Sequence, residues 1–244
     1  MKSHRYFPLI TAIFVTALIV SNIVAVKQIQ IGPFKLTAAL LIFSVSYIFG
    51  DVLTEVYGYA RARQVIWIGF GCNLLAVLAF IAAGLLPPSP SWNLMGSPEA
   101  TQAAYDAILG YTPLILLASF AAYLAGEFLN SFVLAKMKIW TGGRWLWTRT
   151  ISSTLVAQVA DTCIFVGILT LGKLVPSADM MAIILGEWLS KVLYEILATP
   201  VTYKVVNWLK RAEQEDYYDR GTDFTPFRYG GEEEKRLTMD DRPR

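Results

Sequence analysis

Long stretches of this sequence are apolar at nearly every position, and polar residues interrupt them only in short clusters. A helix needs about 20 apolar residues to cross a hydrocarbon core of about 30 Å. Six stretches reach that length: residues 6–26, 34–58, 64–86, 111–135, 144–171 and 178–203. The pattern predicts an all-α integral membrane protein built as a bundle of six transmembrane helices. The first stretch is too long, and too closely followed by another, for a cleaved signal peptide, so it reads as the first span. The second is free of charge only as far as Gly50. The fourth is interrupted by Glu127, the fifth by Arg149, Gln158 and Asp161, and the sixth by Glu187, Lys191 and Glu195.

Composition supports the same class. Of 244 residues, 55% are hydrophobic and 16% charged, against about a quarter charged in soluble globular proteins. Residues 212–244 gather ten acids and six bases, leaving nine acids and fifteen bases for residues 1–211. Such a body has too little charge for a water-facing surface, which excludes a soluble enzyme, a nucleic-acid-binding domain and a secreted disulfide scaffold. The chain divides into a transmembrane domain over 1–211 and a charged tail over 212–244. The tail lacks apolar periodicity and is expected to be disordered in the cytoplasm.

Basic residues near span ends set the orientation. With the N-terminus inside, the inner flanks hold ten (Lys2, Arg5, Arg61, Arg63, Lys136, Lys138, Arg144, Lys204, Lys210, Arg211) and the outer flanks three (Lys27, Lys35, Lys173). Both termini are therefore expected in the cytoplasm. The longest outer connection, 87–110, contains Ser97-Pro98-Glu99, an N-cap, a first-turn proline and an acid at the positive end of a short helix. It reads equally as a lid over an outward-facing site and as an ordinary surface loop.

Charges inside a span are costly and face the bundle interior. At 100° per residue, Ser44, Tyr47, Asp51, Glu55 and Gly58 share one face of the second helix, within about 80°. Ser119, Tyr123, Glu127 and Asn130 do so on the fourth, and Thr150, Thr154, Gln158 and Asp161 on the fifth. Glu187, Lys191, Tyr194 and Glu195 fall within about 100° on the sixth. Four polar stripes predict a hydrophilic cavity. Depth along the helices groups Glu127, Asn130, Gln158, Asp161, Lys191 and Glu195 as a central substrate site, with Lys191 the counter-charge to Asp161, Glu127 or Glu195. Asp51 and Glu55 lie nearer the cytoplasm, beside Arg149, and with Asn22 form a gating or structural polar cluster. Structural ion pairs between helices, Lys191–Glu195 and Asp51–Arg149, are the alternative reading of the two groups.

Other chemistries find little support. Cys72 and Cys163 sit in apolar runs as small hydrophobes, and His4 is the sole histidine, which leaves no metal site and no cofactor. Ile48-Phe49-Gly50-Asp51 lacks the first glycine of an intramembrane aspartyl protease, a rhomboid-type protease needs a membrane histidine, and no phosphate-binding loop is present.

Ser21-Asn22, Asp51-x3-Glu55-x-Tyr57-Gly58, Arg149, Ser153-Thr154, Gln158-x2-Asp161-Thr162, Lys191 and Thr199-Pro200 follow one another in this order. Together they resemble the queuosine-precursor transporter family, inner-membrane proteins of bacteria and archaea that are also grouped as vitamin uptake transporters. The resemblance covers residues 15–205. It implies a 7-deazaguanine substrate, in the 7-cyano or 7-aminomethyl form, and a fold similar to the six-helix substrate-binding subunits of energy-coupling-factor transporters. A carboxylate such as Asp161 or Glu127 can accept the paired N1–H and 2-amino donors of that ring, and Asn130 or Gln158 can serve its carbonyl. The partners implied are the small molecule and the lipid bilayer, with no nucleic acid. An energising partner or a second copy stays open.

Two further readings stand beside an autonomous carrier. One is a substrate-capturing subunit of an ATP-driven complex. Such subunits dock through an Ala-x3-Ala face on the first helix, where this chain has only Ala12-x3-Thr16 and Ser21-x3-Ala25. The other is an intramembrane enzyme using paired carboxylates. Reporter fusions check the six-span reading. A fusion after Arg211 is expected to report the cytoplasm and one within 89–97 the outside, and a cytoplasmic signal from the loop is incompatible with six spans.

Overall fold

The computed structural model describes residues 4–31, 34–110 and 113–227. In chain order these form α1 (Phe7–Val24), β1 (Gln28–Ile31), β2 (Phe34–Thr37), α2 (Ala39–Tyr57), α3 (Tyr59–Gly84), α4 (Pro98–Leu109), α5 (Pro113–Trp140), α6 (Leu146–Leu171) and α7 (Met180–Glu213). The architecture is a helical bundle. α5 lies along α6 and α2, α1 along α2 and α3, and α7 along α6 and α2. Phe14, Leu18, Val52, Leu53, Val56 and Ile66 fill the core where α1, α2 and α3 meet.

Among the described residues four segments are long and apolar enough to cross a membrane: Phe7–Val24, Tyr59–Gly84, Leu146–Leu171 and the run Pro98–Trp140 that holds α5. The outside of the bundle suits lipid. Leu75, Leu78, Leu117, Leu189 and Leu197 are each more than half exposed, while Asp51, Glu127 and Gln158 are buried. An apolar exterior around a polar interior inverts the arrangement of a soluble protein.

Several boundaries differ from those read in the sequence. The second span, expected from residue 34, starts at Ala39 because Phe34–Thr37 pairs antiparallel with Gln28–Ile31, Gln28 opposite Thr37 and Ile31 opposite Phe34. Both short segments alternate polar and apolar residues, the period of a strand rather than of a helix. α3 begins at Tyr59, ahead of the expected 64. Gly58 alone joins it to α2, with φ at 84°, and the Tyr217 ring occupies the space a Cβ there would need. α7 continues past the expected 203 to Glu213, 34 residues in all. At 1.5 Å per residue it is about 51 Å long, so it extends beyond a core of about 30 Å.

The Ser97-Pro98-Glu99 start of α4 is realised, with Ser97 Oγ accepting from Ala100 N at 3.1 Å. The exposed Glu99 carboxyl lies below its ordinary range because its own backbone N–H and Ser97 donate to it. Tyr105 Oη donates to Phe80 O at 3.0 Å and Gln102 Nε2 to Gly84 O at 3.2 Å, which fastens α4 to the end of α3.

The helix ends at the opposite pole of α3 are closed by distant residues. Tyr6 brings no side-chain cap to α1. Instead Glu213, the last residue of α7, accepts from Tyr6 N at 2.6 Å, Arg5 N at 3.2 Å and Tyr57 Oη at 3.1 Å. A carboxylate at a helix N-terminus is favourable because it meets orphan N–H groups and the positive dipole end. Residues 214–227 then run across this pole. Tyr217 N donates to Val56 O at 3.1 Å. Asp219 is buried and accepts from Tyr59 N, the first residue of α3, at 3.0 Å. Arg63 donates to Asp223 O at 2.9 Å and Thr225 O at 2.7 Å, and Trp67 Nε1 to Pro226 O at 2.9 Å. Phe224 packs on Tyr59 and Phe132, with the Lys136 ammonium 4.1 Å from its ring.

The disorder expected for the tail from residue 212 therefore does not extend to 214–227. Helix caps, donors to backbone carbonyls and two aromatic contacts hold this strap, and none of these needs an apolar period. Residues 228–244 lie outside the described residues. Asp219→Ala is expected to lower stability by about 1–3 kcal/mol, the cost of stranding a buried donor, and Asp219→Asn, which keeps an acceptor, by less. Melting temperatures of the purified protein in detergent check both, and equal, unchanged values would show the strap to be dispensable.

Candidate functional site

Helical spacing brings four stripes to one place. α2 contributes Tyr47 and Asp51, α5 Glu127 and Asn130, α6 Gln158 and Asp161, and α7 Lys191 and Glu195. All but Lys191 are buried. Gly126 permits the closest approach. A Cβ there would stand 3.1 Å from Asp161 Cβ and 3.4 Å from Tyr47 Oη, so any side chain would push α5 away from α6 and α2. Glu127 Oε2 rests against the α2 backbone, where a Cβ on Gly50 would lie 3.3 Å from it.

Within this group Lys191 Nζ donates to Asp161 Oδ2 at 2.8 Å, and Glu187 Oε2 lies 3.9 Å from the same ammonium. Of the three counter-charges considered for Lys191, Asp161 is the one at bonding distance. Asn130 Nδ2 donates to Asp51 Oδ1 at 2.6 Å. The Gln158 amide lies beside the Tyr47 hydroxyl, and Tyr123 donates to Ile66 O at 3.0 Å instead of facing the group.

Acceptors outnumber donors here. Both Glu127 oxygens, Asp51 Oδ2, Glu195 Oε1 and Asn130 Oδ1 are buried with no hydrogen-bond partner among the described residues. A buried acceptor left alone costs about 1–3 kcal/mol, more if charged. The chemical capacity of the group is therefore to accept hydrogen bonds from N–H or O–H donors.

A second group lies toward the strap. Arg149 Nη2 donates to Glu55 Oε1 at 2.8 Å, Lys210 Nζ to the same oxygen at 2.7 Å, and Lys138 Nζ stands 3.6 Å from it. Lys138 also donates to Glu55 O and, at 2.6 Å, to Asp216 Oδ1; Lys210 lies 2.9 Å from Asp216 Oδ1. Partial burial works against the Asp216 charge, but hydrogen bonds from Lys138 and Lys210 hold its carboxyl below the ordinary aspartate range.

The expected Asp51–Arg149 pair is corrected by this geometry. Arg149 meets Glu55, one helical turn along α2, and Asp51 turns to Asn130. Asn22, placed by sequence with Asp51, Glu55 and Arg149, donates to Asn73 Oδ1 of α3 at 2.8 Å and so ties α1 to α3. The Ser44 side chain lies outside the described part of the structure. Sequence reasoning missed Lys138, Lys210, Asp216 and Asn73. Lys138 had a signal: eleven residues beyond Glu127, it falls within about 20° of the same face of α5. It was counted as a flank, yet it is fully buried.

The central group and the Glu55–Arg149 pair lie within residues 37–205, the part of the chain matched by the family model described as "Putative vitamin uptake transporter". The chain belongs to the vitamin uptake transporter family. The transporter is also 30% identical over 199 residues to a protein of Bacillus subtilis (strain 168) named "Probable queuosine precursor transporter", a match covering 81% of this chain and 83% of that one. The family resemblance read from the motifs is thereby confirmed. No solved structure matches the transporter.

The Asp161–Lys191 pair makes a separable prediction about stability. Removing one partner of a buried pair costs about 3–5 kcal/mol, so Lys191→Met is expected to lower the melting temperature sharply. Adding Asp161→Asn should recover most of that loss. Independent effects of the two changes would show that the 2.8 Å contact carries no energy.

Proposed function

We propose that this transporter imports a queuosine precursor, 7-cyano-7-deazaguanine or its 7-aminomethyl form, across the bacterial inner membrane through the central polar group. Its six long helices span the bilayer with both termini in the cytoplasm. The observation that carries the reading is Glu127, a buried carboxylate with both oxygens awaiting donors. The ring's N1–H and 2-amino group point the same way and fit the two oxygens of one carboxylate. Asn130 spends its amide on Asp51, which leaves Gln158 to serve the ring carbonyl. Tyr47, beside Gln158 and Asp161, offers a face on which an aromatic base stacks. Lys191 holds Asp161 through Oδ2 and limits the negative charge of the site.

The Bacillus subtilis relative's name supports the same cargo. Binding at mid-depth between helices contributed by different parts of the bundle also suits alternating access, in which packed helices rock about a fixed site. Glu55, Arg149, Lys138 and Lys210 act in this reading as the closure on the strap side and not as ligands.

Uptake of labelled 7-cyano-7-deazaguanine by liposomes carrying only the purified chain tests the proposal. Glu127→Gln keeps the shape but replaces one acceptor by a donor that opposes the 2-amino group. Hydrogen bonds to charged groups contribute about 1.5–3 kcal/mol each, so apparent affinity is expected to fall at least about tenfold with the amount of folded protein unchanged. Wild-type affinity in that variant would remove Glu127 from the site. Transport that needs an added ATP-hydrolysing partner would favour the substrate-capturing subunit.

A further inference from the structure

The precursor reading uses Glu127, Asp161, Gln158 and Lys191, and leaves the neighbouring carboxylates of α2 and α7 without a task. Asp51 and Glu195 are 1% and 2% exposed. Asn130 reaches Asp51 Oδ1 with its amide nitrogen at 2.6 Å, and this is the donor described at the junction. Asp51 Oδ2, Glu195 Oε1 and Asn130 Oδ1, itself on a fully buried side chain, are left without partners. With both carboxylates ionised, these three buried acceptors would have no donor, and a proton on a carboxyl supplies one.

The charged groups of the surrounding elements do not relieve this. On α2 the next charge is Glu55, and on α5 it is Glu127, both negative. On α6 Arg149 is bound to Glu55, and on α7 Lys191 is bound to Asp161 and Lys210 to Glu55. α1 has no charged residue, and Arg63 of α3 is turned to the strap. Among the described residues neither Asp51 nor Glu195 forms an ion pair. A metal cation is the other candidate for such oxygens. Hard cations take six or more oxygen ligands, and carriers supply them from unwound backbone carbonyls, whereas α2 and α5 run unbroken through Asp51 and Asn130, and in α7 Pro200 frees one carbonyl, that of Ile196 beside Glu195.

We propose that Asp51 and Glu195, buried carboxyls with unpartnered oxygens on the packed helices α2 and α7, form with the Asp51-bound Asn130 a proton-binding site that couples import of the precursor to proton flow. A proton leaves water on one side and forms an O–H bond on one of the two carboxyls. On the far side that bond breaks and the proton returns to water, with no other bond made or lost. Asn130 lies one turn from Glu127, and Glu195 one turn from Lys191. A proton at one site and N–H donors at the other each reduce the negative charge felt by the other, so their binding is mutually favourable. The inference rests on the carrier reading but not on which 7-deazaguanine is carried.

The test uses the full purified chain in liposomes with the membrane potential clamped at zero and labelled 7-cyano-7-deazaguanine outside. With one proton per substrate, an inside-alkaline gradient is expected to raise accumulation about tenfold per pH unit, and a sodium gradient to have no effect. In Asp51→Asn the accumulation ratio should stay at one with or without the pH gradient. Infrared titration of the same proteins needs no substrate. The wild type should show a protonated-carboxyl band at neutral pH that weakens in Asp51→Asn and in Glu195→Gln. Accumulation driven by sodium but not by pH overturns the proposal, as does pH-driven accumulation that survives in Asp51→Asn or a band that neither variant changes. A band that weakens as expected, in a protein that takes up no deazaguanine, supports the proton site and removes the precursor as cargo.

Discussion

A carboxylate withdrawn from water has to be met by positive charge or by donors, and at Glu55 the bundle brings three bases to one oxygen, Oε1. Arg149 of α6, Lys210 of α7 and Lys138 of α5 converge on this one side chain of α2. Four helices that pack elsewhere through apolar contacts are thereby fixed in one relative arrangement. Apolar packing inside a bilayer has little hydrophobic drive of its own, because lipid tails are as apolar as leucine. Directional polar contacts of this kind consequently set which helix faces which.

Compensation of charge divides the interior into two regions. Around Glu55 three bases and a second acid, Asp216, nearly balance. Beginning one turn away on α2, Asp51, Glu127, Asp161 and Glu195 have a single lysine, bonded to Asp161. A fold selected for stability alone would have no reason to keep the second arrangement, since apolar residues of similar volume would cost less. In the proposed function the imbalance is the binding site, and the balanced group beside it holds the helices that create it.

Much of this was legible before any coordinates. Apolar run lengths marked the helices, and the 3.6-residue period placed Asp51, Glu127, Asp161 and Lys191 on inward faces. Individual partners were less legible, because a helical wheel gives direction without relative height. Arg149 could reach Asp51 or Glu55, and one helical turn decided between them. Lys138 was misread because a basic residue near a span end is ordinarily a solvated flank, and only the strap that covers it makes it buried. The strap itself gave no periodic signal, since Asp219 and Arg63 act through single bonds to backbone groups. The pairing of Gln28–Ile31 with Phe34–Thr37 was obscured by an apolar run that continues into α2 without a break in hydropathy.

The capping of α1 by Glu213 has a consequence for synthesis. The first helix leaves the ribosome about 200 residues ahead of the carboxylate that completes its N-terminus. At roughly 5–20 residues per second, it waits about 10–40 s in the membrane with its first N–H groups lacking that partner. The final register of the first helix, and the covering of the α2–α3 junction by the strap, are set only after the last helix has been inserted. Completion of the bundle at this pole thus waits for Glu213 and the segment that follows it.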